Sequence, residues 1–183
     1  MGVVRSGQPQ GAAATGGREP VMAYVALGAN LGDAVAALRQ AVQAMRCLPL
    51  TQVHRMSSLY QTAPLDTDSG AETAAPGQDY VNAVVALRTG LSAPALLDQL
   101  QWLESQAGRE RPYRNAPRTL DLDLLLYGRA SLDSARLTVP HPRMLQRAFV
   151  LVPLAEIAPD RVSAEQLGAV QHQAIARLGA LLG

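Results

Sequence analysis

Two carboxylates, Asp121 and Asp123, stand two residues apart in the longest apolar run of the chain, Pro117 to Tyr127. A run of that length bounded by Pro117 and Gly128 reads as a buried strand. Side chains alternate faces along a strand, so the two aspartates share one face and Leu120, Leu122 and Leu124 take the other. They would sit roughly 7 Å apart. Such a pair can hold two Mg²⁺ ions about 4 Å apart and clamp a polyphosphate between them. Acids in mid-strand need counter-charge, because an unpaired buried carboxylate is costly. Arginines alone could supply it, and so could metal.

The cations lie immediately upstream. Arg109, Arg111, Arg114 and Arg118 fall in a segment that Pro112 and Pro117 keep from being helical, so an arginine-studded loop runs into the acidic strand. A charge run is ordinarily a solvated face, but here cations lead straight into acids. The chain has no lysine, and all 16 of its Lys+Arg positions are arginine. That excludes Schiff-base chemistry, a Walker A lysine and a protein-kinase strand lysine. Any grip on phosphate falls to guanidinium groups, backbone N–H groups or metal, and the Arg fork matches phosphate oxygens two at a time. A histidine fixed between two prolines, Pro140-His141-Pro142, has Arg143 and Arg147 nearby, so His141 reads equally as a site residue or a structural one.

The elements that must position these groups follow from the pattern. Val21 to Leu27 reads as a strand, followed by the turn cluster Gly28 to Asp33, with Asp33 as N-cap of a helix over 34–45. That turn lacks a dinucleotide fingerprint. Thr51 to Tyr60 is a second strand and Asp79 to Arg88 a third, with Tyr80, Asn82, Val84 and Ala86 on one face. The long small-residue loop between them is expected to be functional or disordered. Ser92 caps a second helix ending at Gln106. Gly128 to Thr138 reads as a small hairpin or an edge strand, residues 149–157 as an apolar stretch of mixed period, and Ala164 to Leu182 as one C-terminal helix. The order strand, helix, strand, strand, helix, strand predicts an α+β fold. Its core is ferredoxin-like βαββαβ, mainly antiparallel, with helices packed on one face, an extra hairpin and a C-terminal helix.

Net charge near zero and few aromatics argue against a nucleic-acid partner. No apolar run approaches the ~20 residues of a membrane span. The single cysteine, Cys47, fits a reducing compartment. Residues 1–20 are rich in Gly, Ala, Gln and Pro and are expected to be a disordered, dispensable extension, with Met22 a plausible start. Residues 21–183 are expected to form one domain.

Taken together, the segments from Ala23 to Pro159 resemble the 6-hydroxymethyl-7,8-dihydropterin pyrophosphokinase family. The specific signature is Arg114-Asn115-Ala116-Pro117-Arg118-Thr119-Leu120-Asp121-Leu122-Asp123, supported by Gly28, Asn30 and Gly32, by Tyr80-Val81-Asn82 and by Val139-Pro140-His141. The resemblance implies a folate-pathway reaction in which a pterin hydroxymethyl oxygen attacks the β-phosphorus of ATP and AMP leaves. It implies Asp121 and Asp123 as ligands of two Mg²⁺ ions, and Arg109 and Arg118 as catalytic grips on phosphate. Glu104, Arg111, His141 and Arg147 are implied as ATP contacts. Thr62, Pro64, Leu65, Tyr80, Asn82 and Phe149 are implied as the pterin pocket, with Tyr80 and Phe149 stacking on the ring. The substrates would be ATP and the reduced pterin, and the enzyme a cytoplasmic monomer. The chain departs from the family at Asn115, where Trp is common, and at Ala29, where Ser is common. A reading from another class is a ferredoxin-like regulatory module that binds a small molecule without catalysis. Another two-metal phosphotransferase or a nuclease is a third.

Overall fold

The computed structural model describes residues 18–66, 73–74, 77–108 and 120–182 of the 183-residue chain. The extension at 1–17 and the arginine loop at 109–119 lie outside the described residues. The first strand, β1 (Val21–Ala29), runs two residues further than the sequence suggests and takes Gly28 out of the turn and into the sheet. Asp33 caps α1 (Ala34–Arg46), accepting from the Ala36 N–H at 2.9 Å, and Leu38, Val42 and Met45 form its buried stripe. The second strand comes in two pieces, β2 (Thr51–Met56) and β3 (Ser58–Thr62). The break is at Ser57, whose backbone N–H donates to the Val84 carbonyl and whose hydroxyl accepts from the Val84 N–H, both at 2.9 Å.

Two short strands, β4 (Leu65–Asp66) and β5 (Thr73–Ala74), pair across part of the long loop. The chain then runs through β6 (Tyr80–Thr89), α2 (Ala93–Gln106), capped by Ser92, and the aspartate strand β7 (Asp121–Tyr127). The hairpin β8 (Leu132–Asp133) with β9 (Thr138–Val139) follows as expected. After it come α3 (Ala148–Ile157), α4 (Ala164–Val170) and β10 (Ala176–Ala180). The main sheet has the order β10-β3-β6-β1-β7, with β2 also on β6, and every pairing is antiparallel. Without β10 this is the ferredoxin-like arrangement.

Two expectations need correction. The helices do not stay on one face. Helices α1 and α2 cover the side bearing Val25, Leu27, Val85, Leu122 and Leu124, whereas α3 and α4 cover the side bearing Tyr24, Ala26, Val84 and Leu125. Helix α3 was hard to read because it is apolar nearly all round; Val150, Leu151, Pro153, Leu154 and Ile157 are all buried, so no polar stripe marks a period. The C-terminal helix is also shorter than expected. Leu167 and Val170 belong to α4, but the chain then turns and β10 adds to the edge of β3. Gly179, at φ +135°, lies outside helical geometry and sits at a register shift of that pairing. A strand there satisfies main-chain groups of β3 that would otherwise form an open edge.

Helix α3 is tied to β3 by one carboxylate. Glu156 accepts from the Ser58 N–H at 2.9 Å, the Ser58 hydroxyl at 2.8 Å and the Tyr60 hydroxyl at 2.9 Å, with Arg177 of β10 at 3.7 Å. Burial opposes its ionisation, but the Ser58 and Tyr60 donors and the Arg177 charge outweigh it, and Glu156 is held below the usual carboxylate range. The Tyr60 hydroxyl is pushed up to about 12 by burial and then by Glu156. A carboxyl lowered in the folded state stabilises the fold above its unfolded pKa, and that contribution fades as pH falls through the folded one. Glu156→Gln is expected to cost about 1–3 kcal/mol at pH 7, where an amide N–H₂ can meet a buried donor. In thermal unfolding the gap to the parent should narrow below about pH 4. A gap constant down to pH 3 would contradict this.

Candidate active site

The register of the sheet decides which side chains meet. Asp121 of β7 pairs with Gly28 of β1, Gly28 with Asn82 of β6, and Asn82 with Tyr60 of β3. Directly opposed residues share a face. Asp123 pairs with Ala26, and Ala26 with Val84, one row further along on the same side. Leu122 and Leu124 pack into the core beneath α1 and α2, so both half-buried aspartates project to the α3 side, as the alternation predicts. Thr62, opposite Tyr80, is on that side too, and its hydroxyl accepts from the Asn82 amide at 2.9 Å. Gly28 is the gap in the row. A Cβ there would come within 3.4 Å of the Asn82 Oδ1, so its absence leaves an open notch between an acid and an amide.

Other elements converge on this face. After β9, the Val139-Pro140 peptide is cis and the His141 N–H donates to the Leu125 carbonyl at 2.9 Å, which pins the turn to β7. The His141 Nδ1 accepts from the Arg143 N–H at 3.2 Å. The neutral imidazole therefore carries its proton on Nε2. Burial pushes His141 below its ordinary pKa; Asp123 and Asp121 pull it up, and Arg147 and Arg143 push it down. Those four charges thus lie within electrostatic reach of one imidazole. Arg147 continues toward α3, with its guanidinium carbon 5.4 Å from the centre of the Phe149 ring.

Glu104 sits behind the pair. It is 2% exposed, and its Oε1 accepts from the Leu122 N–H at 2.8 Å, the peptide between the two aspartates. On the amide side, Asn30 in the turn after β1 donates to the Gln78 carbonyl at 3.5 Å and holds the approach to Tyr80. Tyr80, Pro64 and Phe149 are half-buried. Leu65 is placed only through the backbone of β4. Arg109, Arg111 and Arg118 lie outside the described residues. Among the described residues no group of three or more His, Cys, Asp or Glu side chains has a metal-binding arrangement. Two carboxylates on one face suit Mg²⁺, which keeps several waters and takes further oxygens from substrate phosphates.

The sequence model of the 7,8-dihydro-6-hydroxymethylpterin-pyrophosphokinase family matches residues 24–159. The chain belongs to that family. A Pseudomonas aeruginosa protein named 2-amino-4-hydroxy-6-hydroxymethyldihydropteridine pyrophosphokinase is 44% identical over 161 residues, 85% of this chain and 95% of that protein. A Haemophilus influenzae protein of the same name is 45% identical over 142 residues, 78% of this chain and 84% of its own. Among solved structures, an HPPK-DHPS in complex with substrates has a TM-score of 0.61 at 11% identity, covering 84% of this chain and 43% of that one. A Plasmodium falciparum HPPK-DHPS triple mutant gives 0.59 at 13% identity, with 77% of this chain and 40% of that one covered. The pyrophosphokinase thus spans about two fifths of those longer chains, and at such identity they speak for the fold alone.

Pattern alone does not single out two residues of this region. It places Gly28 in a turn, and the signal available is the position of Gly28 at the end of an apolar alternation. Gln173, whose Oε1 accepts from the Ala148 N–H at the start of α3 at 2.8 Å, falls inside a stretch that reads as unbroken helix, and nothing local distinguishes it. Gly28→Val tests the notch. Valine suits a strand, so stability should stay within ~1 kcal/mol, while turnover falls at least about tenfold because the side chain fills the space beside Asn82. Wild-type turnover in a folded Gly28→Val protein would show that the notch is not used.

Proposed function

We propose that Asp121 and Asp123 hold two Mg²⁺ ions on the triphosphate of ATP while the pyrophosphokinase transfers pyrophosphate to the hydroxymethyl group of 6-hydroxymethyl-7,8-dihydropterin, releasing AMP. The observation that carries this reading is the single row Asp121–Gly28–Asn82, which sets a phosphate-side acid beside a pterin-side amide with no side chain between them. The metal, when bound, would neutralise charge that develops on the transferring group. The rest of the work falls to positioning.

On the nucleotide side, His141 offers its Nε2–H and Arg147 its guanidinium to phosphate oxygens; Arg109, Arg111 and Arg118, outside the described residues, are assigned to phosphate by the family resemblance alone. Glu104 acts from behind, holding the Leu122 peptide so that the aspartates flanking it keep their aim. On the pterin side, Asn82 presents an amide to the edge of the ring, with Thr62 fixing which way it turns. Tyr80 and Phe149 supply stacking surfaces, and the family resemblance adds Pro64 and Leu65 to the pterin pocket. Both half-sites draw on one chain, which fits a monomer. The free, exposed Cys47 fits the reducing cytoplasm. No helix among the described residues is long and apolar enough to cross a membrane.

AMP release from ATP, measured with and without the reduced pterin, separates this reading from a non-catalytic binding module. Pterin-dependent AMP is expected. Asp121→Asn and Asp123→Asn should each lower turnover at least about a hundredfold, the scale of losing one preorganised transition-state contact, with melting temperature near that of the parent. Turnover within a few-fold of wild type in either variant would remove the two-aspartate mechanism. Tyr80→Ala should weaken pterin binding more than ATP binding in calorimetric titrations; equal weakening would reject its stacking role.

A further inference from the structure

Arg147 occupies the N-cap of α3, a position for which its chemistry is poorly suited. An N-cap residue ordinarily offers a short side-chain oxygen to the first N–H groups of the helix, and arginine has no acceptor. A cation at the positive end of the helix dipole is also unfavourable. Ser or Asp here would cap the helix directly. Departures of this kind from local rules concentrate at functional sites, and something else must offset them.

The offset comes from Gln173, in the turn between α4 and β10. Its Oε1 accepts from the Ala148 N–H at 2.8 Å and so supplies the capping oxygen that Arg147 lacks. Its amide nitrogen donates to the Gln146 carbonyl at 2.7 Å. One side-chain amide therefore grips the main chain on both sides of Arg147. Gln173 is itself fixed, because its backbone N–H donates to the Val170 carbonyl at 3.0 Å at the end of α4. The segment it grips carries Arg147 and, two residues on, Phe149, and their side chains meet at 5.4 Å.

We propose that Gln173 is a positioning residue for the reaction. It sets the backbone from which Arg147 reaches toward phosphate and Phe149 toward the pterin, and it keeps those two half-sites in one register. This rests on the reading of Arg147 and Phe149 given above. A glutamine is needed because acceptor and donor are used together on two peptides about one residue apart.

The test uses the full chain and five proteins: wild type, Gln173→Ala, Gln173→Glu, Arg147→Ala, and the double variant Gln173→Ala with Arg147→Ala. Pterin-dependent AMP formation is measured below the melting temperature of each. Gln173→Ala should lower kcat/KM about tenfold to a hundredfold, the range for misplacing a reacting group by around an ångström. Gln173→Glu keeps the acceptor for Ala148 and adds charge that the helix N-terminus favours. It therefore stays folded even if Gln173→Ala does not, and its activity should fall between the other two because the bond to Gln146 is gone. In the double variant the loss should fall well short of the product of the single losses, since residues acting as one unit do not add. Wild-type kcat/KM in Gln173→Glu and in folded Gln173→Ala would overturn the proposal. So would losses that multiply fully in the double variant, which is what a merely structural glutamine gives. If wild type itself makes no pterin-dependent AMP, the pyrophosphokinase reading fails on that protein alone and the proposal falls with it.

Discussion

Two like charges on one strand face set the condition that the surrounding structure meets. At roughly 7 Å and an effective dielectric of about 20, two carboxylates repel by ~2 kcal/mol. That is a sizeable fraction of the 5–15 kcal/mol that holds an ordinary domain together. The sheet cannot relieve it, because Leu122 and Leu124 are locked in the core on the opposite face and fix the aim of their neighbours. Arg143 and Arg147 bring positive charge to the same imidazole on which Asp121 and Asp123 act. In the reading proposed above, divalent cations brought with the substrate would offset that repulsion.

Helix α3 packs on the side of the sheet to which Asp121 and Asp123 project, and side-chain hydrogen bonds hold it at both ends. At its start the Gln173 amide spans the peptides around Arg147. At its end Arg55 donates to the Ile157 carbonyl at 3.2 Å and Glu156 anchors to Ser58 and Tyr60. Tyr60 is the register neighbour of Asn82, so the anchor reaches the row that holds Asn82, Gly28 and Asp121. Pro153 adds a local loosening, since it removes the helix hydrogen bond that would fall on the Phe149 carbonyl. The segment bearing Phe149 is thus held by tertiary contacts more than by its own helix.

What could be read in the sequence was what local rules govern. The shared face of Asp121 and Asp123 followed from strand alternation alone, and the caps at Asp33 and Ser92 followed from side-chain chemistry. The order of elements led to the ferredoxin-like core. The rest depended on contacts distant in the chain. The split at Ser57 is made by bonds to Val84, which no window around residue 57 contains. Leu167, Val170, Ala174, Leu178 and Leu181 keep a helical period, yet the vacant edge of β3 draws Ala176–Ala180 into the sheet. Glu104 could be matched to a site by resemblance, but its bond to the Leu122 peptide appears only once α2 is laid against β7.

The role proposed for Asp121 and Asp123 is to hold divalent cations together on a nucleotide. Its most direct test is a crystal of the enzyme with Mn²⁺, a non-hydrolysable ATP analogue and the pterin, measured at a wavelength where manganese scatters anomalously. Two anomalous peaks about 4 Å apart are expected, with oxygens of both carboxylates in the coordination shells. An analogue bound with its phosphates held by arginines alone, and no peak within ligand distance of either aspartate, would contradict it.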